Sequence, residues 1–148
     1  MKHDNLTFKL LTNDNIREIV VLGQQLHQKL TLKQVEEYQN QMFEFSTYNC
    51  FGLFLNDQLI GISSGWITIR LYSGKQFEVD NVIINSSDQS KGYGKKFFEF
   101  IENWAKQNGC KTIELNTYVK NSRSHKFYYN IGYSIIGFHF WKHLRGGD

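Results

Sequence analysis

A chain of 148 residues, 41% hydrophobic and 16% aromatic, is long enough for one packed core and too apolar for a disordered tail. Its formal net charge of +3, with acidic and basic residues interspersed, is too weak and too dispersed to argue for nucleic-acid binding. No window approaches the roughly 18 apolar residues of a membrane span, and the N-terminal MKHDNLTFKLL lacks the apolar core of a secretory signal, so a single cytoplasmic domain over residues 1–148 is expected. Cys50 and Cys110 sit outside any CxxC pattern and read as reduced thiols, with a disulfide between them as the alternative.

In chain order, LTFKLL at 6–11 reads as a first strand. Asn13 or Asp14 is placed to cap a helix that carries Ile16, Ile19, Val20 and Leu22. A second helix follows Thr31, with Leu32, Val35, Tyr38 and Met42 at helical spacing. FGLFL at 51–55 and QLIGISSGWITIRLY at 58–72 are strands joined by a tight turn at Asn56-Asp57. A turn at Ser73-Gly74 leads into the strand KQFEVDNVII at 75–84. From Lys91 to Gln107, Tyr93, Phe97, Phe100, Ile101 and Trp104 make one apolar helical stripe, which Asn108-Gly109 ends. KTIELNTY is a strand, SRSHKFYYNI a short helix stopped by Gly132, and YSIIGFHFW a final strand. The order β-α-α-β-β-β-α-β-α-β describes a mixed α/β sheet with no repeat or linker.

The loop DQSKGYGKK, between the strand at 75–84 and the long helix, is the first candidate site. A helix N-terminus leaves backbone N–H groups without partners and carries partial positive charge, so it attracts anions. Gly92 and Gly94 remove side-chain bulk there and permit unusual backbone angles, while Lys91, Lys95 and Lys96 add charge. The plain alternative is a helix start with incidental glycines and a solvated lysine cluster. Two other phosphate loops fail: Phe97 stands where a dinucleotide fingerprint needs glycine, and Gln89 and Lys96 break a P-loop.

Around this loop the pattern widens. QSKGYG after VII resembles the signature Q/R-x-x-G-x-G/A of the GNAT superfamily of N-acetyltransferases, with Gln89, Gly92 and Gly94 in its defined positions. Downstream, NSRSHKFYYNIGY resembles N-x-x-A-x-x-F-Y-x-x-x-G-F, with Asn121, Phe127, Tyr128, Gly132 and Tyr133 in register. Ser124 replaces the common alanine, Tyr133 the common phenylalanine, and Ser86 a frequent proline. The resemblance spans about residues 50–142 and implies a mostly antiparallel twisted sheet flanked by helices.

The resemblance also implies a chemistry. Acetyl-CoA is the implied cosubstrate, with no metal. Its pyrophosphate would lie on the backbone of Ser90, Lys91, Gly92, Tyr93, Gly94 and Lys95, its pantetheine along Val82, Ile83 and Ile84 as an added strand, with further contacts from Gln89 and Asn121. Asn121 also suits a helix cap. An acceptor ammonium with a pKa of about 10.4 must lose a proton before it attacks. Glu78 and Asp80 are the candidate bases, and a two-residue period puts both on the face of Val82 and Ile84. Glu78 stands eleven residues before Gln89, a spacing that resembles the histone acetyltransferase branch; the glutamate position of the N-terminal acetyltransferases is Asn116. Solvent-facing strand carboxylates, with a water chain as the base, are the alternative. Tyr128 holds the family's general-acid position, or is a structural tyrosine beside Phe127 and Tyr129.

His139 and His143 fall on the final strand and its continuation and share no helical face, so they do not pair as metal ligands. The expected acceptor is a small primary amine. A protein lysine or N-terminus, or a non-catalytic CoA-binding module, are the other readings. Pairing of the strand Tyr133–Trp141 with its own copy would give a homodimer. No nucleic-acid or membrane partner is expected.

Overall fold

The computed structural model describes residues 4–145. Strand β1 (Leu6–Leu11) ends at Thr12, which caps a short 3-10 turn at Asn13–Asn15. The Asp14 amide donates to Thr12 Oγ1 and the Thr12 amide to Asn15 Oδ1, a reciprocal box one residue ahead of the expected caps. Helix α1 (Ile16–Leu26) follows and turns Ile19, Val20 and Leu22 inward. Helix α2 (Leu32–Phe43) opens on a second reciprocal cap between Thr31 and Gln34.

Strands β2 (Tyr48–Leu55) and β3 (Gln58–Arg70) are joined by Asn56-Asp57, both left-handed at φ 50° and 66° as a tight hairpin turn requires. Gly74, at φ 73°, begins β4 (Gly74–Ile84). Helix α3 (Tyr93–Gln107) crosses over to β5 (Thr112–Leu115). The five-stranded sheet runs β1-β2-β3-β4-β5, antiparallel throughout except for the parallel β4–β5 pair. This is the mixed α/β sheet that the element order predicts. Among the described residues no helix is long and apolar enough to cross a membrane.

The sheet carries a hydrophobic cluster on each face. Phe97, Ile101 and Ala105 of α3 pack on Phe51, Leu53, Ile60, Phe77 and Val79. On the opposite face Ile19 and Leu22 of α1, with Met42 and Phe43 of α2, cover Tyr48, Cys50, Phe54 and Ile62. Both cysteines are free, and burial pushes the Cys50 thiol up to about 12.

One irregularity corrects the sequence reading. Ser64 pairs with Asn81 but Gly65 pairs with Val79, so Asp80 is an extra residue in a β-bulge. The two-residue period breaks there. Val82 and Ile84 join the cluster under α3, whereas Asp80 bonds Trp66, which packs with the cluster under α1 and α2. Glu78 and Asp80 therefore do not share a face with Val82 and Ile84. Gly65 opposite the bulge has a steric reason: a Cβ there would meet the Glu78 carbonyl oxygen and lie 2.6 Å from the Phe77 ring.

Contact density divides the chain into two units that meet in sequence at Leu115 and Asn116. The second contains helix α4 (Ser122–Asn130), followed by Gly132 at φ 96°. The expected final strand does not form: residues 133–143 carry no helix or strand. Alternating apolar residues become a strand only where a partner backbone lies in register, and among its described residues this unit offers no other strand. The strand expected over KTIELNTY is likewise shortened to Thr112–Leu115.

Candidate active site

Strand β4 and its exit hold most of the candidate residues. Pairing of β4 with β5 covers Gln76 to Val79, opposite Thr112 to Leu115, and then stops. Beyond it β4 runs on through Asp80 and Asn81 to Val82, Ile83 and Ile84. Along that stretch its pairing is with β3, from Ser64 to Gly61. The edge turned away from β3 thus offers backbone groups to an extended ligand.

The two carboxylates at this fork are held differently. Asp80 accepts from Ser64 Oγ at 2.6 Å on one oxygen and from Trp66 Nε1 at 2.8 Å on the other. Ser64 Oγ in turn accepts from Asn81 Nδ2 at 3.3 Å, and Asn81 Oδ1 lies 3.0 Å from His27 Nε2 at the end of α1. Asp80 is thereby built into a polar chain that ties the bulge to α1. Glu78 is half-buried and meets Arg70 at 3.3 Å through one oxygen. Nearby, Gln39 donates to the Tyr48 hydroxyl at 2.8 Å, and burial raises the Tyr48 phenol well above its ordinary value.

At the end of β4 the loop turns through a 3-10 turn at Ser86–Asp88. Gln89 donates its side-chain amide to the Ile84 carbonyl at 2.9 Å, which closes the loop on the strand. Ser90 and Gly92 are both left-handed, at φ 64° and 80°. Gly92 is the N-cap of α3 and supplies no side-chain hydrogen bond, and no acidic residue stands in the first turn. The first turn carries Lys95 and Lys96 instead, against the preference of the helix dipole. A Cβ at Gly92 would meet nothing within 4 Å, so the space before the helix is open. Uncapped amides, open approach and surrounding lysines are the features an anion needs. Lys91 is 3.8 Å from Asp88. The Tyr93 side chain is buried in the α3 cluster and donates to Asp4 at 3.2 Å, so only its backbone can serve the loop.

Asn121 and Tyr128 lie in the second unit. Asn121 caps α4, its Oδ1 accepting from the Ser124 amide at 3.2 Å. The cap uses one lone pair of Oδ1 and leaves Nδ2 as a donor toward a ligand. Tyr128 is half-buried between the Phe127 and Tyr133 rings, at 5.2 and 5.7 Å. Burial pushes its phenol up to about 12.

The sequence profile of the acetyltransferase (GNAT) family matches residues 18–133. The chain belongs to the GNAT family. As a member it is an acyl-CoA-dependent acetyltransferase. A Bacillus subtilis (strain 168) protein, the uncharacterized N-acetyltransferase YhdJ, is 23% identical over 97 residues, which cover 65% of this chain and 68% of that protein. The aminoglycoside N-acetyltransferase AAC(6')-Iy, solved in complex with CoA, has the same fold: TM-score 0.86 at 13% identity, covering 98% of both chains. A ribosomal-protein-alanine N-acetyltransferase from Brucella melitensis superposes with TM-score 0.80 at 15% identity, covering 95% of this chain and all of that one.

Within this GNAT chain several polar residues at the fork escaped sequence reasoning. Ser64, Trp66 and His27 surround the bulge, and Glu114 stands beside Glu78 across the β4–β5 pair. None belongs to a motif. The signal that finds them is pairing register, which a bulge shifts by one residue.

Proposed function

We propose that this GNAT enzyme moves an acetyl group from acetyl-CoA to the primary amine of a small molecule, by direct attack in a ternary complex. The observation that carries the reading is the course of β4. It leaves β5 after Val79, bulges at Asp80, and delivers an open edge into a glycine-led, uncapped helix start. The fit is specific: an open edge suits an amide-bearing arm, and the α3 N-terminus suits a pyrophosphate. When bound, acetyl-CoA supplies an acetyl group activated as a thioester.

The chain's residues then divide the work. Backbone groups of Val82, Ile83 and Ile84 align the arm, and amides from Ser90 to Lys95 hold the phosphates. Gln89 keeps that loop closed, and Asn121 reaches the ligand through Nδ2. Asp80, with both oxygens engaged by Ser64 and Trp66, holds the bulge in shape. Glu78, with Arg70 on only one oxygen, takes the proton from the attacking ammonium, directly or through water. Tyr128 donates its phenolic proton to the departing thiolate as the amide C–N bond forms and the C–S bond breaks.

A small acceptor is favoured by the structural likeness to enzymes named for aminoglycosides. The likeness to a ribosomal-protein-alanine enzyme keeps a protein N-terminus as the second reading. We place the enzyme in the cytoplasm, in keeping with its two free cysteines. A homodimer through residues 133–141 is supported by the exposure of Ile135, Ile136, Phe138, Phe140 and Trp141.

Thiol release from acetyl-CoA, measured across polyamines, amino acids, aminoglycosides and peptides, tests the reading. A small amine is expected to give the highest kcat/KM. With it, Tyr128→Phe should lower kcat by about 10²–10⁴ with little change in the cosubstrate KM. Release with peptides alone would replace the small acceptor, and no release with any amine would end the catalytic reading.

A further inference from the structure

The polar chain at the bulge fixes where its protons sit. Trp66 Nε1 can only donate, and it donates to Asp80 Oδ2 at 2.8 Å. Asp80 Oδ1, a carboxylate oxygen, can only accept, here from Ser64 Oγ at 2.6 Å. Ser64 has one hydroxyl proton and gives it to Asp80. Toward Asn81 it therefore accepts, and Asn81 turns Nδ2 to it at 3.3 Å. That leaves Asn81 Oδ1 facing His27, 3.0 Å from Nε2. An amide oxygen has no proton to give, so His27 Nε2 carries the hydrogen of this contact. In the neutral imidazole Nδ1 is then the basic nitrogen.

The ring is held without being enclosed. His27 ends α1, its amide donating to the Gly23 carbonyl and its carbonyl accepting from the Leu30 amide, both at 3.0 Å. The residue is exposed, and among the described residues no second hydrogen bond and no ion pair reaches the ring. An imidazolium also donates from Nε2, so the bond to Asn81 is the same in both charge states. Nδ1 can gain and lose a proton while the ring stays where it is, as proton transfer requires.

Its place in the fold adds a second reason. With the pyrophosphate at Ser90 to Lys95 and the arm on Ile84, Ile83 and Val82, the arm runs back along β4. Its thioester end then comes to Asn81, just past the last β4–β5 pair at Val79. Ser64 stands in register with Cys50 of the cluster under α1 and α2, and Asn81 with Ser64, so His27 meets Asn81 on that face.

We propose that His27 is a second base of the transfer, whose Nδ1 takes the proton that the nitrogen still holds in excess once it has attacked. The proposal rests on the acetyl-transfer reading, in which Glu78 takes the first proton. Attack forms the C–N bond and leaves the nitrogen with a positive charge and two hydrogens. His27 Nδ1 removes one of them, the C–S electron pair goes to sulfur as the carbonyl re-forms, and the thiolate takes the Tyr128 proton. One of the two protons collected then returns to Tyr128 and the other leaves to solvent. Ammonium and thioester have become amide, thiol and one free proton.

Gln in place of His27 keeps a donor for Asn81 Oδ1 and has no basic nitrogen, whereas Phe has neither, so the pair separates a base from a tether. Nitrogen NMR of the full chain, with the His27 signals assigned from their loss in His27→Gln, should show a neutral ring protonated at Nε2 and bare at Nδ1. A ring protonated at Nδ1 overturns the proposal, whatever the turnover. With the best amine found by thiol release, His27→Gln should lower kcat at least about tenfold and leave the acetyl-CoA KM within about twofold. Its melting temperature should stay that of the parent, and His27→Phe should be as slow and less stable. A smaller loss of kcat in His27→Gln would mean that the ring only ties α1 to the bulge, and a loss confined to KM would mean that it only aids binding; either overturns the base. Both results leave acetyl transfer intact. Thiol release absent with every amine would end the acetyl-transfer reading and the base with it, while the NMR would still report the tautomer.

Discussion

A single inserted residue separates the roles of two neighbouring carboxylates. With Asp80 bulged out of the β3–β4 register, both its oxygens meet donors on β3, whereas Glu78 keeps one oxygen outside its contact with Arg70. Tyr128 shows the same dependence on surroundings. A phenol acts as an acid only while protonated, and burial disfavours its charged form, so the pKa rises to about 12. The sign is clear: rising pH removes the proton only as it approaches that value. At saturating substrates the parent's kcat should therefore show no descending limb between about pH 8 and 10. A limb with a midpoint at or below about 10 that vanishes in Tyr128→Phe would show that burial leaves the phenol unshifted.

At the scale of an element, the start of α3 gives up stability that an ordinary helix would keep. It has no side-chain cap, no acidic residue in its first turn and two lysines where acids are preferred. A side-chain cap in place of glycine is worth about a few tenths of a kcal/mol, and the unfavourable charges add a similar amount each. The sequence reading gave Gly92 both low bulk and permissive backbone angles. Its φ of 80° uses that permissiveness, so a β-branched replacement would strain the backbone as well as block the approach. Asn tolerates the left-handed region and projects a side chain into the open space. Gly92→Asn should thus leave the melting temperature within a few degrees of the parent while acetyl-CoA affinity falls at least about tenfold, about 1.4 kcal/mol. Calorimetry that finds the affinity unchanged in a folded variant would remove the loop from phosphate binding.

For the whole molecule, residues 133–143 pose an unfinished packing problem. Phe138 and Phe140 are 87% and 92% exposed in the single chain, on a segment whose alternation is that of a strand. Strand-forming sequence without a partner in its own unit is available to a second copy. Sedimentation at micromolar concentration should give a dimer, and Phe138→Lys with Phe140→Lys should give a monomer with the same circular dichroism. A monomeric parent would show that the segment is covered in some other way.

The sequence by itself determined what depends on local periodicity and on residue type. The hairpin at Asn56-Asp57, the stripe of α3, the stops at Gly109 and Gly132, and the glycine loop after VII were all legible, because neighbours along the chain fix them. The family could be read from two motifs for the same reason. Tertiary structure alone decided what depends on register between distant segments. The bulge at Asp80 needs β3 beside it, and it turns the expected face of Glu78 and Asp80 away from Val82 and Ile84. The row that joins Glu114 to Glu78 exists only because residues 36 apart in sequence pair in a parallel ladder. The failure of the last strand has the same cause: propensity is a property of the residues, but a strand is a property of two backbones.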